Sequence, residues 1–287
     1  MEEVVFSDGS VEVVVLPAAG ARLHRLRAWG HDLLRTPADP ATHLDDPFFW
    51  GAYVMAPWCN RVEPGPQQLL GQPLDLAPNF RDGTAIHGQV YQRPWDRRPD
   101  GAFVVRAGGD GWPWPYETSL RVAVVAGKVR LEQGLVNRST EPMPAGLGLH
   151  PWFLRPLQVA IHAERVFRDN TATTPDPVPV EGPFDLRAIG PMADGLDGAW
   201  SDVAQPAAEL AWPRSGIRAT MRIAASTVYV VAASPADVEA IALEPETHAP
   251  QAFRRLRNGE PGALAVLEPG AELRLVTDLA FERDAPA

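Results

Sequence analysis

Four short segments join a side chain able to move a proton or grip a hydroxyl to a rigid or glycine-rich setting. In Gly146-Leu147-Gly148-Leu149-His150-Pro151-Trp152-Phe153 the imidazole of His150 sits between a glycine pair and two aromatics, and Pro151 biases it toward extended backbone. In Ala240-Ile241-Ala242-Leu243-Glu244-Pro245-Glu246-Thr247-His248 the carboxylate of Glu244 ends an apolar run. Desolvation there would raise its pKa toward the range useful for a general base. In Thr84-Ala85-Ile86-His87-Gly88-Gln89, His87 can donate or accept near neutral pH, and Gly88 would let the backbone pass close to a ligand. In Ala56-Pro57-Trp58-Cys59-Asn60-Arg61, Asn60 offers a donor and an acceptor and Arg61 a fork of donors, which suits sugar hydroxyls.

Each segment also has a bland reading. Asn60-Arg61 can be a turn, His87 a core-satisfied histidine, and Glu244 a solvent-facing carboxylate at a strand end. Glu246 and Glu268 are decoys on this reading, Glu268 because Pro269-Gly270 makes a turn beside it. The chain has no GxGxxG, P-loop, HExxH or GxSxG motif, so phosphate cradling, zinc proteolysis and serine hydrolysis lack support. His87, His150 and Glu244 have the composition of a two-histidine, one-carboxylate metal triad, but not the short spacing that helps build one. No metal or cofactor is therefore expected.

Groups so far apart along the chain can meet only through a sheet fold, and strand signals dominate. They cover 11–16, 21–28, 103–105, 118–125, 129–136, 217–223, 227–232, 240–244, 263–267 and 272–279. Ala126-Gly127-Lys128 reads as a hairpin turn. Helical patterns are limited to single turns at 235–238 and 251–256. Thirty prolines (30) and 24 glycines punctuate the chain, as many short elements require. This pattern points to an all-β sandwich or barrel. No composition shift divides residues 1–287, so one domain is expected. The stretch 171–183, rich in Pro, Thr and Asp, reads as a long surface loop.

The net charge of −10 argues against nucleic acid as a partner. Arg254, Arg255 and Arg257 read as a solvated face. The single cysteine, Cys59, excludes an internal disulfide and fits a reducing compartment. The start of the chain lacks a signal-peptide pattern, and no run reaches the ~20 apolar residues of a membrane span. A cytoplasmic protein without a membrane partner is expected.

In order, these segments resemble the aldose 1-epimerase (galactose mutarotase) family. Val15-Leu16-Pro17-Ala18-Ala19-Gly20 resembles its opening strand and turn. Asn60-Arg61, His87-Gly88, His150-Pro151-Trp152-Phe153 and Glu244-Pro245 resemble its Asn-Arg, His-Gly, His-Pro-aromatic and Glu-Pro elements. Gly195-Leu196-Asp197-Gly198 is similar to the segment with a substrate-binding Asp, and Leu267-Glu268-Pro269-Gly270 to the closing hairpin. Gln89 and Val90 after His87-Gly88 depart from the pattern. The resemblance spans nearly the whole chain. It implies the large antiparallel β-sandwich of galactose mutarotases, a supersandwich with few short helices.

The resemblance further implies a mutarotase that interconverts the α and β anomers of a free aldose, with Glu244 as base and His150 as acid. His87, Asn60, Arg61 and Asp197 would bind the sugar, and Trp58, Trp95 or Trp152 could face its C–H surface. Glu244 would be ionised and His150 protonated, each charge favouring the other. The rivals are a hexose-phosphate 1-epimerase, with Arg81, Arg93 or Arg155 on the phosphate, and a non-catalytic sugar-binding or sensing protein. A monomer or homodimer is expected.

Overall fold

The computed structural model describes residues 1–63, 65–169 and 176–284. Eighteen strands join in one large curled antiparallel sheet, with three two-stranded ribbons beside it. Among the described residues helix is confined to Thr42–Asp45, Ala252–Asn258 and two 3-10 turns. The expected all-β architecture is thus what the chain adopts. Among the described residues no helix is long and apolar enough to cross a membrane.

The strands form where period-2 patterns place apolar side chains on one face. Ile217–Ala225 alternates buried and exposed positions along most of its length. Lys128–Asn137 pairs with Trp112–Val125 on one side and Glu272–Arg283 on the other. The turn before it is a two-residue loop, Ala126-Gly127, both residues at positive φ, with Lys128 already in the strand opposite Val125.

Three strands were not expected. Ala52–Met55 and Gly148–Leu154 are buried almost throughout. Asp197–Trp212, the longest strand at 16 residues, carries an Ala-rich run without a β-branched signature. Its first residues pair with Tyr229–Ala233 and its last with Ile217–Ala225, which ties the central strands to the rest of the sheet. The helical turn expected at 235–238 is only a turn. The one expected at 251–256 is the helix Ala252–Asn258. Of the expected loop 171–183, residues 171–175 lie outside the described residues, and the remainder holds a two-residue strand and a 3-10 turn.

The Arg254, Arg255 and Arg257 face is not simply solvated. Arg255 is buried, donates to the carbonyls of Pro250 (2.9 Å) and Pro261 (3.1 Å), and lies over Phe167. Its neighbours pair with Glu260 and Glu63. Burying a guanidinium is tolerable only with such partners. The arginines therefore staple a helix in place.

Candidate active site

Strand register brings the two candidate proton-transfer groups together. Gly148–Leu154 lies between Ala52–Met55 and Ala240–Glu246, with Gly148 opposite Glu246 and Trp152 opposite Ala242. That register sets His150 across from Glu244, on the same face, where cross-strand side chains meet. His150 Nε2 and Glu244 Oε1 are 3.3 Å apart, and both side chains are buried. On the other flank His150 lies opposite Tyr53, whose ring stacks on the imidazole at 4.6 Å. Two strands beyond Glu244's, Asp197 pairs with Ala233 and reaches the same cleft.

The remaining groups arrive on connecting segments. Arg61–Val62 pairs with Ala85–Ile86, with Arg61 opposite Ile86, so Asn60 and His87 lie side by side at one end of this ribbon. Both take left-handed backbone (φ +59° and +60°), a conformation in which Asn and His are enriched and which often marks a functional position. The Asn60 backbone N–H donates to His87 Nδ1 at 3.2 Å, so a neutral His87 carries its proton on Nε2. The Asn60 side-chain amide donates to Glu246 Oε2 at 2.7 Å. Gly88 lets the backbone approach not a ligand but the Ala56 carbonyl: a Cβ there would lie 1.9 Å from that oxygen. Arg61 Nε donates to Asp82 at 2.7 Å while still lining the cleft.

All six residues expected at the site, Glu244, His150, His87, Asn60, Arg61 and Asp197, line one cleft of about 590 Å³ counted with its open mouth. Of the three tryptophans considered, only Trp152 lines it; Trp58 packs on Trp112 and Phe253, and Trp95 is buried with its N–H on the Val90 carbonyl. Arg93 and Arg155 pair with Asp110 and Asp194 outside the cleft. Sequence reasoning missed Tyr53 and the aromatic rim of Phe48, Phe49 and Phe80. The run Phe48-Phe49-Trp50, in a segment with no strand pattern, was the available signal. Buried Arg22 holds that segment by donating to the carbonyls of Pro47 and Trp50, both at 2.8 Å, and its guanidinium lies over Tyr53. Glu246 is no decoy either, being fully buried and bound to Asn60.

Burial sets the charges. It pushes the Glu244 carboxyl well above the usual carboxylate range, helped by Glu246 and Asp197 and opposed by Arg61. Glu246 is likewise raised by burial and by Asp197, against the Asn60 hydrogen bond. His150 is pushed down to about 3 by burial and by Arg22. His87 is held well below its ordinary value by burial, His150 and Arg61. The free site therefore favours a neutral carboxyl against a neutral imidazole, not the carboxylate–imidazolium pair expected from sequence. Burial disfavours the charged form of both groups. His150 Nδ1, Glu244 Oε2 and Glu246 Oε1 have no hydrogen-bond partner among the described residues.

His87, His150 and Glu244 do converge, each offering one ligand atom within 4.8 Å of the others. The donor set still fits a metal poorly. His87 spends its Nδ1 lone pair on the Asn60 N–H and bears its proton on Nε2, so it offers neither nitrogen without losing that bond.

The fold has counterparts among solved structures. A galactose mutarotase-like protein from Clostridium acetobutylicum superposes with a TM-score of 0.82 at 18% identity, covering 98% of this chain and 95% of that one. An aldose epimerase homologue from C. elegans gives 0.82 at 16%, covering 99% of both chains. A galactose 1-epimerase from Lactobacillus acidophilus gives 0.78 at 18%, covering 99% and 95%. At such identities the likeness speaks for the fold alone. By sequence, no curated protein matches. The family model for aldose 1-epimerase matches residues 2–280, almost the whole of a chain whose fold already agrees with it. The chain belongs to the aldose 1-epimerase family.

Proposed function

We propose that the chain is an isomerase that interconverts the α and β anomers of a free aldose, working in the cytoplasm as a single domain over 1–287 and as a monomer or homodimer. One observation carries the reading: His150 Nε2 faces Glu244 Oε1 at 3.3 Å inside the cleft that the other candidate residues line. Anomerisation needs one group to take the proton of the anomeric hydroxyl and another to give a proton to the ring oxygen. The C1–ring-oxygen bond breaks as C1 becomes an aldehyde carbonyl. After rotation about C1–C2, the ring hydroxyl attacks the other face and both protons return.

Glu244 serves as base and His150 as acid in ring opening, with the roles exchanged on closure. In the free site their one proton rests on the carboxyl. Its transfer across 3.3 Å yields the carboxylate–imidazolium form with no proton taken from solvent. His87, protonated on Nε2, is a fixed donor for the ring oxygen or a neighbouring hydroxyl. Asn60, Arg61 and Asp197 orient the other hydroxyls, and Trp152 offers an aromatic surface to C–H groups.

The test is anomer exchange by polarimetry and NMR over a panel of free and 6-phosphorylated aldoses. Glu244→Gln should lower the rate by at least about 10²-fold with sugar binding retained, and His150→Ala should do likewise. Near-wild-type exchange in Glu244→Gln would remove the carboxylate from its role. Sugar binding without turnover by the wild type would favour a binding or sensing protein. A second reading, a hexose-phosphate 1-epimerase, draws on Arg81. This exposed side chain at the cleft lies over Phe49 and Phe80 and makes no ion pair among the described residues. Preferential turnover of the phosphorylated sugars would establish it.

A further inference from the structure

We propose that Glu246 is a positioning residue for this site: its carboxyl fixes, through Asn60, the loop that presents His87, and its charge governs the protonation of Glu244. The inference rests on the mutarotase reading of Glu244. Glu246 lies two residues beyond Glu244 on Ala240–Glu246, so both side chains leave the same face of the strand. It is fully buried, and its Oε2 accepts the Asn60 amide at 2.7 Å. The same residue, Asn60, donates its backbone N–H to His87 Nδ1. One carboxyl therefore holds the residue that selects the His87 tautomer.

The bonding part of this task does not require a charge. A glutamine oxygen would accept the same N–H without burying an ionisable group, which is costly. What a carboxyl adds is electrostatic. The groups around it are Glu244 and His248 on its own segment, His150 and Tyr53 on the neighbouring strands, Tyr229 opposite, Asp197, and Cys59, Arg61 and His87 on the loops. The cation facing Glu244 is Arg61, which is shared with Asp82. Two buried carboxyls two residues apart on one strand, with so little positive charge, cannot both ionise readily. They behave as a pair that keeps a proton longer than either would alone.

The first test is a carbon-NMR titration of wild-type protein labelled at glutamate. Two buried carboxyl resonances should each move in two linked steps; a single independent step for Glu244 would overturn the proposal. The second test is the pH dependence of kcat/KM in Glu246→Gln, which keeps the Asn60 acceptor and removes the charge. The basic limb, where the Glu244–His150 pair loses its one catalytic proton, should move to lower pH by about one unit or more. A limb that stays at its wild-type position in a folded variant would overturn the proposal. If Glu246→Gln fails to fold, the wild-type titration decides. Activity surviving in Glu244→Gln would instead overturn the parent reading; an inactive Glu244→Gln with an unmoved Glu246→Gln limb would overturn this inference alone.

Discussion

His87 shows how a single residue's role follows from its second nitrogen. With Nδ1 accepting from the Asn60 backbone and the ring kept neutral by burial, His87 can present an N–H but has no spare proton to give. It is therefore a hydrogen-bond donor and not a rival acid to His150. Donors aimed at a developing oxyanion lose most of their worth when deleted and little when replaced by another N–H. His87→Phe should cost about 10²-fold in kcat, whereas His87→Gln, which can still donate, should cost clearly less. Steady-state anomer exchange on both variants checks this. Equal losses in the two would mean that shape, not the donor, matters at this position.

At the scale of elements, the site depends on backbone approach. The parallel bridge between Ala56 and Gly88 locks the segment carrying Asn60 against the one carrying His87. Gly88 has φ +75°, and any Cβ there would run into the Ala56 carbonyl. Gly88→Ala should therefore destabilise by about 3 kcal/mol or more, combining left-handed strain with overpacking. Urea unfolding measures it, and a loss below about 1 kcal/mol would show that the bridge yields easily.

These same elements divide what the sequence reveals from what it hides. An alternating strand such as Ile217–Ala225 was legible because one face is wet, and Val11–Leu16 because it is a β-branched run. Gly148–Leu154 was not, because a strand buried on both faces has no period to read. Five of the six site residues stood out by their own settings and Asp197 came with the resemblance; only the resemblance of ordered motifs joined them, since spacing alone could not join residues 60 and 244. Glu246 escaped for a physical reason: a strand-end carboxylate is ordinarily exposed, and only tertiary contact with Asn60 reveals this one as buried. The rim of Phe48, Phe49 and Phe80 depends on Arg22 gripping two carbonyls, a contact no local pattern encodes.

Over the whole molecule, the buried ionisable groups set opposing pH dependences. His43, His87, His150 and His248 are all held below their ordinary values, mainly by burial, His150 to about 3 and His248 to about 4. His248 is a strut, accepting the Cys59 N–H at 2.9 Å and donating to the Ala249 carbonyl. Unfolded, these imidazoles titrate near ~6.5. Below that pH the unfolded chain binds protons the folded chain refuses, so stability falls as pH drops from ~6.5 toward the folded values, by roughly 2 kcal/mol per histidine at pH ~5. Glu244 and Glu246 act the other way. Their raised folded values mean the native chain keeps protons that the unfolded chain has lost, so they cost stability as pH rises above ~4.3 and return it on acidification. The two carboxyls are outnumbered by the four histidines. Unfolding free energy should therefore be lower at pH ~5 than at pH ~7. Replacing both carboxyls with glutamine should steepen that loss, because the only groups that gain stability on acidification in this set are then gone. Urea titrations of the wild type and the Glu244→Gln/Glu246→Gln double variant at the two pH values compare the slopes directly. A wild-type stability that rises toward pH ~5 would mean that the imidazoles accept protons inside the fold.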